Sequence, residues 1–528
     1  MKITGNIVDI KNRKIYGGTV FFENGKIVSV EKDGRVHGNF IIPPFIDAHV
    51  HVESSMLVPS EFARLAAVHG TGACVSDPHE IANVLGMEGV RFMLDNAALT
   101  PFRFFFGAPS CVPATPFETS GATLSAENIE ELFRDDRIKY LSEMMNFPGV
   151  LSGDETVMTK LAMAKAAGRP VDGHAPLLRG GNLKKYIQSG ITTDHEAISY
   201  EEGREKISLG MKIQIREGSA AKNFEALFPL IDEAPDMCML CSDDLHPDNL
   251  AAGHINLTVK LAVEKGADIF NVLTAACISP VEHYGLDCGL LQAGDSADFI
   301  VVDSLKDFNV KQTWIKGVLC AENGVSLLKS VHSEHPNRFC ATIKSPADFA
   351  LSVSAPVDVI TVEDGQLVTG RIKAVPDPEH DILKLTVVNR YDDAKSAIAF
   401  AKNFGLKNGA FASCVAHDSH NIICVGCDDF SIARAVNLVI KNRGGLSCVC
   451  GDEELSLPLP VGGIMTDADG HETAEKYREM DAMVKRMGSR LTAPFMTLSF
   501  MALLVIPSLK LSDKGLFDVE KFAFVCGA

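Results

Sequence analysis

"FIDAHVHVESS", residues 45–55, grows out of the apolar run "IIPPF" (41–45). It sets His49 and His51 two positions apart, with Asp47 before them and Glu53 after them at the same spacing. In an extended strand, residues i and i+2 point to the same face. Both imidazoles then converge on one point, which is metal-ligand geometry. The fold turns on what surrounds this strand.

Outward from it, residues 41–285 alternate short apolar runs with helical stretches. Eight strand candidates stand out: "NFIIPPFID", "GACVSD", "FRFFFGA", "IKYLSEM", "RPVDGHA", "ITTDHEA", "MKIQIREG" and "DMCMLCSDD". Helical segments such as "PSEFARLAAVHG" and "ETVMTKLAMAKAAG" lie between most of them. Strands alternating with helices argue for parallel βα units. Eight units in this length match a closed (β/α)8 barrel of about 250 residues. An open doubly wound sheet is the alternative, but no glycine-rich dinucleotide fingerprint follows any of these strands.

Residues 1–40 carry "KITGNIVDI" and "GGTVFFENGKIVSVEKDG", alternating β-branched runs broken by hairpin turns. The same texture returns in "GDSADFIVVDSL" and "FNVKQTWIKGVLCAENG" (294–324). The expected fold class is therefore α/β. A (β/α)8 barrel spans 41–285, with a small β-sandwich domain built from 1–40 and 286–334 on both sides of it. A C-terminal α+β domain follows over 335–528, holding strands such as "LKLTVVNRY" and the helix "FSIARAVNLVIKNRGG". The helix "GADIFNVLTAACISPVEHYGL" is read as barrel-closing packing that stops at Pro280.

The 528 residues exceed what one core holds. A net charge of −18 without any Lys/Arg-rich run argues against a nucleic-acid partner. The most apolar segment, "APFMTLSFMALLVIP" (493–507), is too short and too interrupted to span a membrane and reads as core of the last domain. The start lacks the pattern of a signal peptide. Fourteen scattered cysteines suggest reduced thiols, hence a cytoplasmic protein. A small-molecule substrate and a homo-oligomeric assembly are expected.

Polar residues crowd the strand ends: Asp47, His49 and His51; Asp77, His79 and Glu80; Glu143; His174; Asp194 and His195; Arg216 and Glu217; Asp243 and Asp244. A single such histidine reads as a satisfied core residue. Four at corresponding positions of three strands, with carboxylates on two others, read as a site, because barrel enzymes place catalytic groups at the C-terminal strand ends. Four imidazoles and two carboxylates exceed one catalytic metal's three protein ligands and suit two ions with a bridging carboxylate. Such a pair lowers the pKa of bound water toward ~7, which makes hydrolysis the natural chemistry.

The "HVH" of strand one, the histidines ending strands five and six, and the aspartate ending strand eight resemble the amidohydrolase superfamily. More closely, "FIDAHVHVESS", "SDPHEIANVLG", "SEMMNFPGV" and "CSDDLHP" are similar to the bacterial adenine deaminases. So are "HDSHNIICVG", "LPLPVGGIM" and "PFMTLSFMALLVIPSLKL" in the last domain. The likeness covers essentially the whole chain. It implies hydrolysis of adenine to hypoxanthine and ammonia, a purine-salvage step, with two divalent ions, Mn2+ or alternatively Fe2+. It assigns His49 and His51 to one ion and His174 and His195 to the other. Glu143 would bridge them, where many relatives use a carboxylated lysine. Asp243, preferred to Asp244 on the family pattern, would ligate the first ion and carry the proton to the departing amine. For the acid that protonates N1, Glu53, His79, Glu80, Glu217 and His246 all stay open.

A rival metal reading pairs "HVE" (51–53) with "CMLC" (238–241), since zinc-dependent nucleobase deaminases use H-x-E and P-C-x-x-C. No Pro precedes Cys238, and in a strand Cys238 and Cys241 face opposite sides. Two further readings compete: an amidohydrolase with another substrate, and a barrel retained as a scaffold. "HDSHN" (417–421) invites either a polar turn or a lid over the active site.

Overall fold

A computed structural model describes residues 1–525. Eight parallel strands make the barrel: Phe45–Val50, Thr71–Ser76, Arg103–Ala108, Ile138–Met144, Val171–Gly173, Thr193–Asp194, Lys212–Arg216 and Cys238–Cys241. The first five form one hydrogen-bonded group and the last three another. The gaps close through Thr192 N to Val171 O (2.9 Å) on one side and Asp243 N to His49 O (2.9 Å) on the other. Ile46, Ala48, Ala73, Val75, Phe105, Tyr140, Met239 and Cys241 pack together inside. Cys238 and Leu240 face the surrounding helices instead. The two cysteines of "CMLC" thus point to opposite sides as packing residues, and every described cysteine is free.

The first strand does not alternate evenly. Ile46 and Ala48 point into the barrel, while Asp47 turns outward to Ser242 N (3.0 Å) and to His254 Nε2 (2.9 Å). The pairing register with the second strand then shifts between Asp47 and Val50. That irregularity re-aims the chain, as bulges beside active sites do, and it brings His49 and His51 inward. Simple period-2 counting places Asp47 with the histidines; the bulge is why it is not there.

On both sides of the barrel in sequence, Lys2–Asp9, Lys14–Glu23, Lys26–Lys32 and Phe40–Ile42 join Phe299–Val302, Val310–Ile315, Val318–Glu322 and Val325–Ser326 in one eight-stranded sheet. Phe22 anchors its apolar face, edge-on to Phe299 (5.2 Å) and Trp314 (5.3 Å). The helical stretch before it does not stop at Pro280. It passes through a π-helical turn, Thr274–Ile278, into Ser279–Tyr284. Pro280 falls just past the π-helical turn, and the chain stays helical around its missing N–H.

The last part of the chain is a second eight-stranded sheet, from Val357–Thr361 to Glu453–Leu457, with a three-stranded sheet and the helices Asp429–Asn442 and Gly470–Arg486. The apolar segment 493–507 is core, with Phe495, Met496, Leu498, Phe500 and Met501 all buried. No helix among the described residues is long and apolar enough to cross a membrane. Arg390 is fully buried and donates to Gly462 O (2.8 Å), Arg338 O (3.1 Å) and Asn337 Oδ1 (2.8 Å). It therefore ties the 337–338 segment and the 462 turn to its own strand end from inside. Arg390→Met is expected to cost about 3 kcal/mol or more, because each stranded buried acceptor costs ~1–3 kcal/mol. The urea midpoint measures it.

Candidate active site

At the C-terminal mouth of the barrel, His49, His51, Glu143, His174, His195 and Asp243 are all buried and converge. His51 Nε2 lies 3.3 Å from Asp243 Oδ1 and 3.4 Å from Glu143 Oε1. His49 Nε2 is 3.6 Å from Asp243 Oδ1. The other oxygen of Glu143 faces His174 Nδ1 at 2.7 Å and His195 Nε2 at 3.2 Å. Asp243 reaches inward because its backbone takes a left-handed conformation (φ 56°) just past the eighth strand. Aspartate tolerates that conformation better than most residues.

These groups are electrostatically interdependent. Burial would raise the Glu143 carboxyl, but His174 and His195 overcome it and hold it well below the usual range. Burial would lower His195, yet Glu143 and Asp243 lift it to about 9. His49 is pushed well below its ordinary value by burial and by His195, whose ring stacks on it at 4.1 Å. Neither nitrogen of His49 has a hydrogen-bond partner among the described residues. Imidazole nitrogens buried without donors or acceptors, spaced around carboxylate oxygens, fit divalent cations. They are the wrong arrangement for an apolar core.

Of the residues read from sequence as proton donors, His79 and Glu80 line the cavity over this cluster. Glu53 does not: it is buried behind the mouth, accepts from Ile81 N (3.1 Å), and burial lifts its carboxyl to about 7. His246 is held by Tyr477 Oη (2.6 Å) outside the cavity. Glu217 is a correction. Arg216 points in, so its neighbour on the strand points out, and Glu217 pairs with Lys222 (3.0 Å) away from the cluster.

Two further groups line the site: Glu196, which was not read from sequence as a site residue, and a wall from the last domain, of which only the 417–421 turn was read as a lid candidate. Glu196 lines the cavity 3.5 Å from His195 Nε2. Arg216 clamps it, reaching Glu196 Oε2 at 3.1 Å and Asp243 Oδ2 at 2.7 Å. An acid directly after a strand-end histidine, opposite an inward arginine on the next strand, was the available signal. The other group comes from the last domain. His417, Asp418, Phe500 and Leu503 close the cavity, and Leu367 joins them. The His417 ring stacks on Phe500 at 4.7 Å. The space between them is small, about 20 Å³. It adjoins a larger vestibule of about 700 Å³ through Met145, Glu196, Arg216 and Leu367.

Residues 40–320 match the amidohydrolase family and residues 359–523 the adenine deaminase C-terminal domain. The chain is 56% identical to the adenine deaminase of Sulfurovum sp. (strain NBC37-1), over 99% of this chain and 99% of that protein. It is 52% identical to that of Salinibacter ruber, over 99% and 98%. The adenine deaminase of Methanosarcina acetivorans is 52% identical, over 99% of each chain. With a barrel-mouth cluster of buried imidazoles and carboxylates and matches that run the length of the sequence, the chain belongs to the adenine deaminases of the amidohydrolase family.

Proposed function

We infer that this chain hydrolyses adenine to hypoxanthine and ammonia at a centre of two divalent ions. The carrying observation is Glu143, whose two oxygens face different imidazoles: Oε1 faces His51, and Oε2 faces His174 and His195. A carboxylate shared in this way would serve two ions: His49 and His51 with Asp243 would hold one, and His174 with His195 would hold the other. The mixed nitrogen and oxygen donors suit Mn2+, with Fe2+ as the alternative. When bound, such a pair lowers the pKa of water toward ~7 and so supplies a nucleophile at neutral pH.

The chain's own groups do the rest. Asp243, held by Arg216, takes the proton of the attacking water and delivers it to the departing amine. The proton for N1 must come from a group that faces the cavity. His79, Glu80 and Asp244 do so, the last held by Ser54 Oγ at 2.5 Å. Adenine enters from the vestibule, between Met145 and Leu367. The Phe500 and Leu503 wall then excludes water from the ring.

The test is ammonia release from a panel of aminopurines by protein of defined Mn2+ or Fe2+ content. Turnover of adenine above every other aminopurine is expected. Protein that holds its metal but releases no ammonia from adenine, while acting on another member of the panel, would overturn the reading.

A further inference from the structure

The deamination chemistry leaves one buried amine of the last domain unused. Lys510 lies on the strand Leu509–Ser512 and is fully buried. Its hydrogen-bond partners among the described residues are two backbone carbonyls: Nζ donates to Leu367 O and to Phe500 O, both at 2.9 Å. Burial pushes the amine down to about 7, with no carboxylate to hold it up. A buried amine without a counter-charge is costly, and an apolar side chain would suit this core strand better. What sets the position apart is where the two carbonyls lie. Leu367 and Phe500 both line the catalytic cavity, and Leu367 lines the vestibule as well.

We propose that Lys510 is a positioning residue: it clamps the segments 365–369 and 500–503 together and so sets the opening through which adenine passes from the vestibule to the barrel mouth. The proposal rests on adenine as the substrate. Phe500 O also accepts from Leu503 N (3.3 Å), so the carbonyl that Lys510 holds closes the turn presenting Leu503 to the cavity. The Phe500 ring stacks on His417 at 4.7 Å, which fixes the far end of the same wall. On the other side, Thr369 braces the Leu367 segment against the chain that leads into the Lys510 strand. Its Oγ1 donates to Leu509 O (2.9 Å), and its N–H donates to Pro507 O (2.9 Å). Both clamped stretches continue into the vestibule rim, through Val368 on one and Leu504 on the other. The clamp works through hydrogen bonds rather than charge. An ammonium offers three N–H groups and a neutral amine two, and two carbonyls are there to take them. It therefore holds on either side of pH 7. Without the amine, both buried carbonyls lose its hydrogen bonds, and the two wall segments are free to part. Bound adenine and the transition state face the same wall, so the loss falls on both alike. It is read in KM.

The experiment measures kcat and KM for adenine, Mn2+ per chain and the thermal midpoint in wild type, Lys510→Met and Thr369→Val, all as the full Mn2+-loaded chain. Methionine keeps much of the length of Lys510 but no donor. Lys510→Met is expected to raise KM about tenfold or more with kcat within about threefold of wild type and Mn2+ unchanged. Thr369→Val removes only the Thr369 Oγ1 brace and should raise KM about threefold in the same direction. That milder variant decides the matter if Lys510→Met does not fold. Leu367→Ala should also raise KM, and should add little more in the Lys510→Met background, because the two act through one wall. A merely structural lysine would lower the thermal midpoint and the yield of active enzyme, hence the apparent kcat, and leave KM where it is. Unmoved KM values in the folded variants would overturn the proposal, and so would full additivity of Leu367→Ala with Lys510→Met. A wrong substrate would show as no turnover in wild type, which is distinct from a normal wild type with unmoved variants.

Discussion

Glu143→Gln is expected to abolish ammonia release from adenine, by at least about 10³-fold, and to release the barrel metal, while the chain stays folded. The size follows from what the bridge does. Free water has a pKa near 15.7, and a divalent ion brings it to ~7. Losing a third of that gap as transition-state stabilisation is already about 10³-fold, since each tenfold in rate is only ~1.4 kcal/mol. Gln keeps the shape of Glu143 but cannot offer two anionic oxygens to two ions.

Folding survives for an electrostatic reason. In the metal-free protein Glu143 raises His195, and Glu196 with Glu143 raises His174. With the Glu143 charge gone that upward pull weakens, so the rings can stay buried in their neutral form. Metal analysis, circular dichroism and initial rates on one preparation separate the effects. A variant with full metal and full rate would remove Glu143 from its bridging place.

How much of this was legible beforehand varies with the distance over which a residue acts. The barrel could be read because eight apolar runs alternate with helices, a local pattern. His49 and His51 could be read because two positions on one strand share a face. The bulge between Asp47 and Val50 could not, since it depends on pairing with the neighbouring strand. Glu217 was misplaced for a reason the same period-2 rule supplies: with Arg216 inward, Glu217 must face out. Glu196 went unseen because its meaning comes from Arg216, twenty residues later and one strand over. The hardest contacts join Glu80 to His417, 337 positions apart. No periodicity reports a pairing made only when two domains meet.

Arg216→Met is expected to lower kcat on the order of 10²-fold and to destabilise the chain by about 3–5 kcal/mol near neutral pH. Arg216 is 4% exposed and is shared by two carboxylates, Glu196 and Asp243. Methionine fills much of its volume but leaves both acids buried without their cation. The kinetic loss falls on kcat because Asp243 must be ionised and correctly turned to accept the water's proton. Lysine should rescue poorly, since a single ammonium cannot span Glu196 and Asp243 as the guanidinium fork does. The pH dependence has a definite sign in the chelator-treated protein. Burial would raise Glu196, but Arg216 holds its carboxyl below the usual range in the wild type. That depressed pKa contributes stability above the unfolded value near ~4.3, and the contribution fades as pH falls through the folded pKa. In the variant burial and Asp243 are opposed only by His174 and His195, so the folded carboxyl rises relative to the wild type and the stability gained from its ionisation shrinks. The gap between wild type and variant should therefore be smallest near pH 4 and widen toward pH 7. Urea midpoints at pH 4.5, 6 and 7.5 measure it. A gap that stayed constant across those three values would mean that Arg216 contributes packing rather than charge.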